Sequence, residues 1–133
     1  MSDQRSDLIT LRLDQARQAL RSAKILLDSD DTQGAVNRSY YAMFYAVSAL
    51  LETRRLGTSK HSGAISLFDR EFVKAGAFDK RFSKSLHRAF NLRQESDYRP
   101  EKSVSYESAL NQQEDAVEFV EALWQYLSPR LSE

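Results

Sequence analysis

The stretch Ala35–Leu51, AVNRSYYAMFYAVSALL, constrains the fold more than any other part of the chain. It contains neither Gly nor Pro, and most of its positions are apolar or aromatic. On a helix, Ala35, Ser39, Ala42, Ala46 and Ala49 fall on one stripe of small side chains, which a neighbouring helix can approach closely. Val36, Tyr40, Met43, Val47 and Leu50 form a second, bulky stripe. Arg38, Tyr41, Tyr45, Ser48 and Glu52 form a third, polar and aromatic. A helix that is apolar around most of its circumference belongs at the centre of a bundle. The segment is shorter than the ~20 residues of a membrane span and carries Arg38 and several tyrosines, so it reads as a core helix.

The flanking segments supply partners for it. Ile9, Leu13, Ala16, Leu20, Ala23 and Leu27 repeat at helical spacing between basic residues and predict an amphipathic helix over 7–28. The Asp28–Asp31 run ends that helix, and Asp30 or Asp31 caps the next. Arg54, Arg55 and Gly57 close the central helix, with basic residues in its last turn and Gly beyond. Thr58 and Ser59 can cap a short third helix containing Ile65, Phe68 and Phe72 and stopping near Gly76. Asp79 caps a fourth helix reaching about Asp97, and Pro100 forces a break after it. A fifth runs from about Ser105 to Leu127, ahead of Pro129, with Tyr106, Leu110, Val117, Val120, Trp124 and Leu127 on one face. No strand alternation, repeat or linker interrupts this pattern. The expectation is an all-α, antiparallel up-down bundle of about five helices. It fills a single domain of 133 residues, with 1–6 as a frayed terminus and 129–133 as a tail.

Composition narrows the function classes. The absence of cysteine excludes disulfides, thiolate metal sites and cysteine nucleophiles, and is compatible with a reducing cytoplasm. No signal peptide stands at the polar N-terminus. Zero net charge argues against a general polyanion binder and makes DNA an unpromising partner. The charge is nevertheless uneven: residues 80–99 carry a net of +4 and residues 101–133 a net of −5. This describes either two solvated helix faces of opposite sign or a phosphate-binding strip beside an acidic face. Glu-x-x-His, His-Glu-x-x-His and Gly-rich phosphate loops are all missing, so neither a metal nor a cofactor is expected.

The fourth helix holds the anomaly. Its apolar stripe of Phe82, Leu86 and Ala89 continues at helical spacing into Arg93 and then Asp97. A charged pair on a face expected to be buried must be matched, or must line a groove or subunit interface. An Arg–Asp clasp within the helix is one solution. Arg before Asp is the weaker order for such a pair, which leaves partners on another helix or chain open. His61 follows Lys60 at the start of the third helix, where free N–H groups favour anions, although a capping or packing role is also open. His87 is expected to be exposed.

Three runs, Asn37-Arg38-Ser39-Tyr40-Tyr41-Ala42-Met43-Phe44, Lys60-His61-Ser62-Gly63 and Arg93-Gln94-Glu95-Ser96-Asp97-Tyr98, give the chain a resemblance to the HEPN domain family. The name stands for higher-eukaryote and prokaryote nucleotide-binding, and the similarity is closest to its small, stand-alone prokaryotic branch. The resemblance implies a helical bundle that forms a homodimer with paired motifs in one cleft. It also implies a metal-independent RNase acting on RNA, in which an arginine is followed a few residues later by a histidine. Small members are often encoded beside a minimal nucleotidyltransferase, as toxin and antitoxin, and in some pairs that partner silences the RNase by adenylating a nearby tyrosine. On this resemblance Arg93, Asp97 and Tyr98 are the candidate catalytic residues, and Arg38, Tyr41, Lys60 and His61 the candidate nucleotide-binding ones. Tyr98 stands where active members carry the histidine. With an ordinary pKa of about 10 it is a poor general base near neutrality. It can instead donate to phosphate, accept an adenylate group or pack, and either histidine could replace the missing base. The alternative to an RNase is a non-catalytic nucleotide-binding or interaction module. Arg38 either faces the same cleft or joins a buried hydrogen-bonding network.

Overall fold

The computed structural model describes residues 2–57, 60–99 and 103–131. The expected capping residues Thr58 and Ser59, and Pro100, lie outside this set. Among the described residues, five α-helices make up the bundle: α1 (Asp3–Asp28), α2 (Thr32–Glu52), α3 (His61–Phe68), α4 (Lys80–Tyr98) and α5 (Tyr106–Leu131). A π-helical turn, Asp69–Val73, continues α3 without a break.

α2 occupies the centre and packs against all four other helices, most extensively against α1. All five positions of its small stripe are buried, as are all five of its bulky stripe. The third stripe is half-buried throughout. Ala16, Ala19 and Ala23 are buried on α1, so the closest-packed pair of helices has small side chains on both partners. Short side chains bring the helix axes together and replace solvent with dense backbone contact. At the other end of the core, Phe68, Phe72, Phe78, Phe82 and Phe119 form an aromatic cluster, with Phe68 lying 5.5 Å from Phe119.

The ends of the helices explain the connections. Asp31 accepts a hydrogen bond from the Gly34 amide at 2.8 Å and starts α2. The carboxylate presses so close that a Cβ at Gly34 would sit 2.6 Å from its oxygen. Asp79 caps α4 in the same way through the Arg81 amide. α1, α2 and the π-turn each end with a left-handed residue: Asp30, Arg55 and Gly76, at φ of 61°, 54° and 89°. In each case the next amide reaches back to the last turn, at Leu26, Leu51 and Phe72. Arg55, and not Gly57, therefore turns the chain at the end of α2.

Three further differences from the sequence expectation have physical causes. α1 begins at Asp3, because Ser2 caps it by accepting from the Arg5 amide, so residues 3–6 are helical. α5 continues through Pro129 to Leu131. In the final turn the proline deprives only the carbonyl of Gln125, an exposed residue, of a donor. The buried face of α5 is also rotated from the expected one. Ala109, Gln112, Gln113, Ala116, Phe119, Val120, Leu123 and Leu127 are buried, whereas Tyr106 and Val117 are exposed. Small and amide side chains define this face. Gln112 fits the core by directing its amide at the Met43 sulfur, 3.7 Å away.

Candidate functional site

The candidate site forms where α2, the start of α3 and the second half of α4 meet. Its floor is aromatic. The Tyr40 ring is fully buried and lies 5.8 Å from Phe90 of α4. Tyr41 and Phe44 follow on the same helix and are half-buried.

Arg93 lies across this floor. Its guanidinium carbon is 5.4 Å from the ring centres of both Tyr40 and Tyr41, within the range where a cation is drawn to an aromatic face. Arg38 approaches Tyr41 as well, at 4.9 Å. The Arg93 side chain is 20% exposed, so it stands at the mouth of the site. Its Nε donates to Asp97 Oδ2 at 3.1 Å, one turn along the same helix. The clasp is thus closed within α4. Asp97 is itself exposed, contrary to the expectation that both charges would occupy a buried face.

His61 completes the arrangement. Its ring stacks face to face on Phe44, with centroids 4.1 Å apart and planes 7° from parallel. Its Nδ1 is 2.8 Å from the Tyr40 hydroxyl. Burial, and then the positive charge of Arg93, hold its pKa below the ordinary histidine value. The Tyr40 hydroxyl shifts the other way: burial pushes its pKa far above the usual tyrosine range and outweighs the opposing influence of Arg93. At neutral pH the site therefore holds a neutral imidazole, a neutral phenol and two guanidinium groups beside one carboxylate. That balance favours an anion.

On the other side of the His61–Phe44 stack lies a cleft of about 330 Å³, whose wall includes Arg12, Tyr45, Ser48, Glu52 and Leu56. A further groove of about 720 Å³ lies between α4 and α5 and involves none of the candidate residues. Among the described residues, no cluster of three or more His, Asp or Glu is placed to hold a metal ion.

Of the residues singled out in the sequence, Arg38, Tyr41, His61, Arg93 and Asp97 come together. Lys60 is exposed at the start of α3, next to His61. Tyr98, in the last position of α4, is 78% exposed and does not pack into the core. His87 is exposed, as expected, and its Nε2 is 2.6 Å from Asp69 Oδ2 on the π-turn. The basic strip of α4 is partly matched by the acidic face of α5, through Arg81–Glu118 and Arg88–Asp115. These exposed pairs are worth roughly 0–1 kcal/mol each, and they leave Arg93 as the basic residue of the strip that joins the site. Tyr40, read from its spacing as core, is the member that the sequence concealed. Its link to His61 spans 21 positions and two helices, a separation that helical periodicity cannot report.

Comparison with known proteins places the geometry in context. Residues 9–129 match the profile of the HEPN domain. The chain is 49% identical over 83 residues to a "UPF0332 protein" of Thermotoga maritima, a match covering 62% of this chain and 63% of the relative. It is 35% identical over 97 residues to the Methanocaldococcus jannaschii protein named "Putative toxin MJ0142", covering 73% and 66% of the two chains. A "UPF0332 protein" of Archaeoglobus fulgidus is 35% identical over 115 residues, 86% of this chain and 91% of its own. The matches thus span a little under two thirds of the first two of these relatives.

Proposed function

The chain belongs to the HEPN domain family, and from that premise we propose that it recognises RNA by a phosphodiester group at the Arg93–His61 site. In this reading it is the toxin-like member of a pair whose other member is a minimal nucleotidyltransferase. The observation that carries the reading is the setting of Arg93: a partly buried guanidinium laid over two tyrosine rings, beside a histidine kept neutral. Asp97 engages Nε, and among the described residues the other N–H donors of this five-donor group are left for a ligand. The name of the Methanocaldococcus relative supports the toxin-like assignment.

The chemistry that fits is metal-independent RNA cleavage. The ribose 2′-oxygen bonds to phosphorus as the bond to the 5′-oxygen breaks, leaving a 2′,3′-cyclic phosphate and a 5′-hydroxyl. A base takes the 2′-hydroxyl proton, and the departing 5′-oxygen gains one. Arg93 offsets the negative charge that gathers on the phosphoryl oxygens. A homodimer would bring two such sites, related by a two-fold axis, to one cleft. Tyr98, standing in solvent, would be open to adenylation by the partner enzyme. The test is cleavage of RNA by purified protein in chelator. Arg93→Ala should slow it by about 100-fold, the usual consequence of removing one donor to developing charge. Undiminished activity would overturn the role of Arg93.

A second reading, a non-catalytic RNA- or nucleotide-binding module, draws on Tyr98, which occupies the histidine position of active members yet is exposed. Gain of cleavage in Tyr98→His would establish that reading.

A further inference from the structure

We infer that Tyr40 is a positioning residue that holds His61 in its Nε2–H form, so that the ring offers a proton to an anionic oxygen and does not accept one. The proposal takes its ligand, a phosphodiester oxygen, from the reading above. The geometry itself does not depend on that reading.

Three observations converge on this arrangement. The Tyr40 side chain is fully buried, and its hydroxyl is in hydrogen-bond contact with Nδ1 of His61 at 2.8 Å. A buried hydroxyl must donate its proton or leave it stranded, so the phenol donates and Nδ1 accepts. The proton of a neutral imidazole then resides on Nε2. Second, the plane of the ring is held in line with this bond, because it is stacked flat on Phe44 at 4.1 Å and lies 5.7 Å from the Tyr40 ring itself, and a half-turn within that plane would break the bond to the hydroxyl. Third, a second proton on the ring would occupy Nδ1 and force the Tyr40 hydroxyl to find another acceptor in the core. Arg93 on the same floor opposes that protonation as well. Tyr40, Tyr41 and Phe44 of α2 surround the ring, the charge of Arg93 of α4 acts on it, and Asp97 is held by Arg93.

The consequence is a division of labour. Nε2–H of His61 and the guanidinium of Arg93 act as two donors toward one anionic group, and the base of any strand cleavage is a group other than His61. A histidine free to rotate could exchange between donor and acceptor roles. This one is fixed by a hydroxyl on a neighbouring helix.

The test is nuclear magnetic resonance of the ¹⁵N-labelled full chain, read through two-bond correlations in the histidine rings. Near neutral pH, His61 is expected to show the Nε2–H pattern, with His87 as a reference in the same spectrum. Tyr40→Phe keeps the ring and removes only the hydroxyl. It should move the His61 titration upward and admit the Nδ1–H form, while His87 stays unchanged. Finding Nδ1–H in the natural protein, or no change at His61 in Tyr40→Phe, overturns the proposal. A second arm uses a short RNA oligonucleotide. His61→Gln, which keeps a donor near the Nε2 position, should bind within about threefold of the natural chain, whereas His61→Ala should bind at least tenfold more weakly. Equal losses in the two variants would overturn the donor role. If RNA fails to bind the natural chain while the Nε2–H pattern is present, the RNA reading falls and the tautomer assignment stands.

Discussion

On one side of α2, Ala35, Ser39, Ala42, Ala46 and Ala49 are buried in a seam where backbone approaches backbone. A quarter-turn and more away, Tyr40, Tyr41 and Phe44 carry rings that meet His61 and Arg93 from two other helices. The first side works by having almost nothing on it. Its free energy comes from close packing and from the exclusion of water, and no member has a specific partner. The second side works through individual atoms: a hydroxyl on a ring nitrogen, a cation over a ring face. One helix thus serves as the anchor of the bundle and as the floor of a site. The rigidity of the first role supports the second, since a phenol can fix a histidine only if its own helix stays still.

The largest expected contrast comes from enlarging a residue on the small side. Ala46→Leu should destabilise the protein by about 1–3 kcal/mol, because the seam has no room for three extra carbons. Urea unfolding would measure it. A change below a few tenths of a kcal/mol would mean that the helices can part at little cost, and the distinction between the two sides would fail. On the aromatic side, Phe44→Leu retains apolar volume but loses the stack on His61. A loss of about 1 kcal/mol is expected from such a ring pair, together with greater mobility of the imidazole. A rigid His61 in that variant would show that Tyr40 alone holds it.

Ser39 sharpens the comparison further. Its hydroxyl is buried in the small stripe without a hydrogen-bond partner among the described residues. Ser39→Ala should therefore stabilise the chain by up to about 1 kcal/mol, by removing a polar group that the fold leaves unsatisfied. Destabilisation on calorimetry would instead indicate that the hydroxyl bonds to its own helix.

The two sides also differ in how far the sequence discloses them. All three stripes of α2 are legible from spacing alone, because one helix carries them and 3.6-residue periodicity is a local property. The same logic places Asp31 and Asp79 at their helix starts. It goes astray on α5, where large side chains suggest one face while Ala109, Gln112, Gln113 and Ala116 define another. Burial there is decided by how closely the neighbouring helices approach, which residue size does not reveal. Arg93 is visible as an anomaly because it interrupts an apolar stripe. The function of Tyr40 is invisible for the opposite reason: it fits its stripe, and only the packing of α3 against α2 brings a histidine to its hydroxyl. The left-handed turn at Arg55 escapes notice as well, since nearby Gly57 is the residue that favours such angles on intrinsic grounds.

The smallest effect separates the two sides by pH. Nothing in the alanine seam titrates, so acid should act on this part of the molecule through His61. An unfolded chain binds a proton at that histidine with a pKa of about 6.5, and the folded site holds the value lower. Below the unfolded value the unfolded chain therefore carries more protons than the folded one. The contribution of His61 is fully present above that pH and is lost as the pH falls through the window beneath it. Calorimetry at about pH 7.5 and pH 5.5, on the natural chain and on His61→Gln, isolates the effect. The natural chain should lose more of its Tm between the two conditions than the variant does, because the glutamine has no proton to gain. Equal losses would mean that the imidazole is as easily charged in the bundle as in water. The aromatic side of α2 would then be no more selective about charge than the solvent around it.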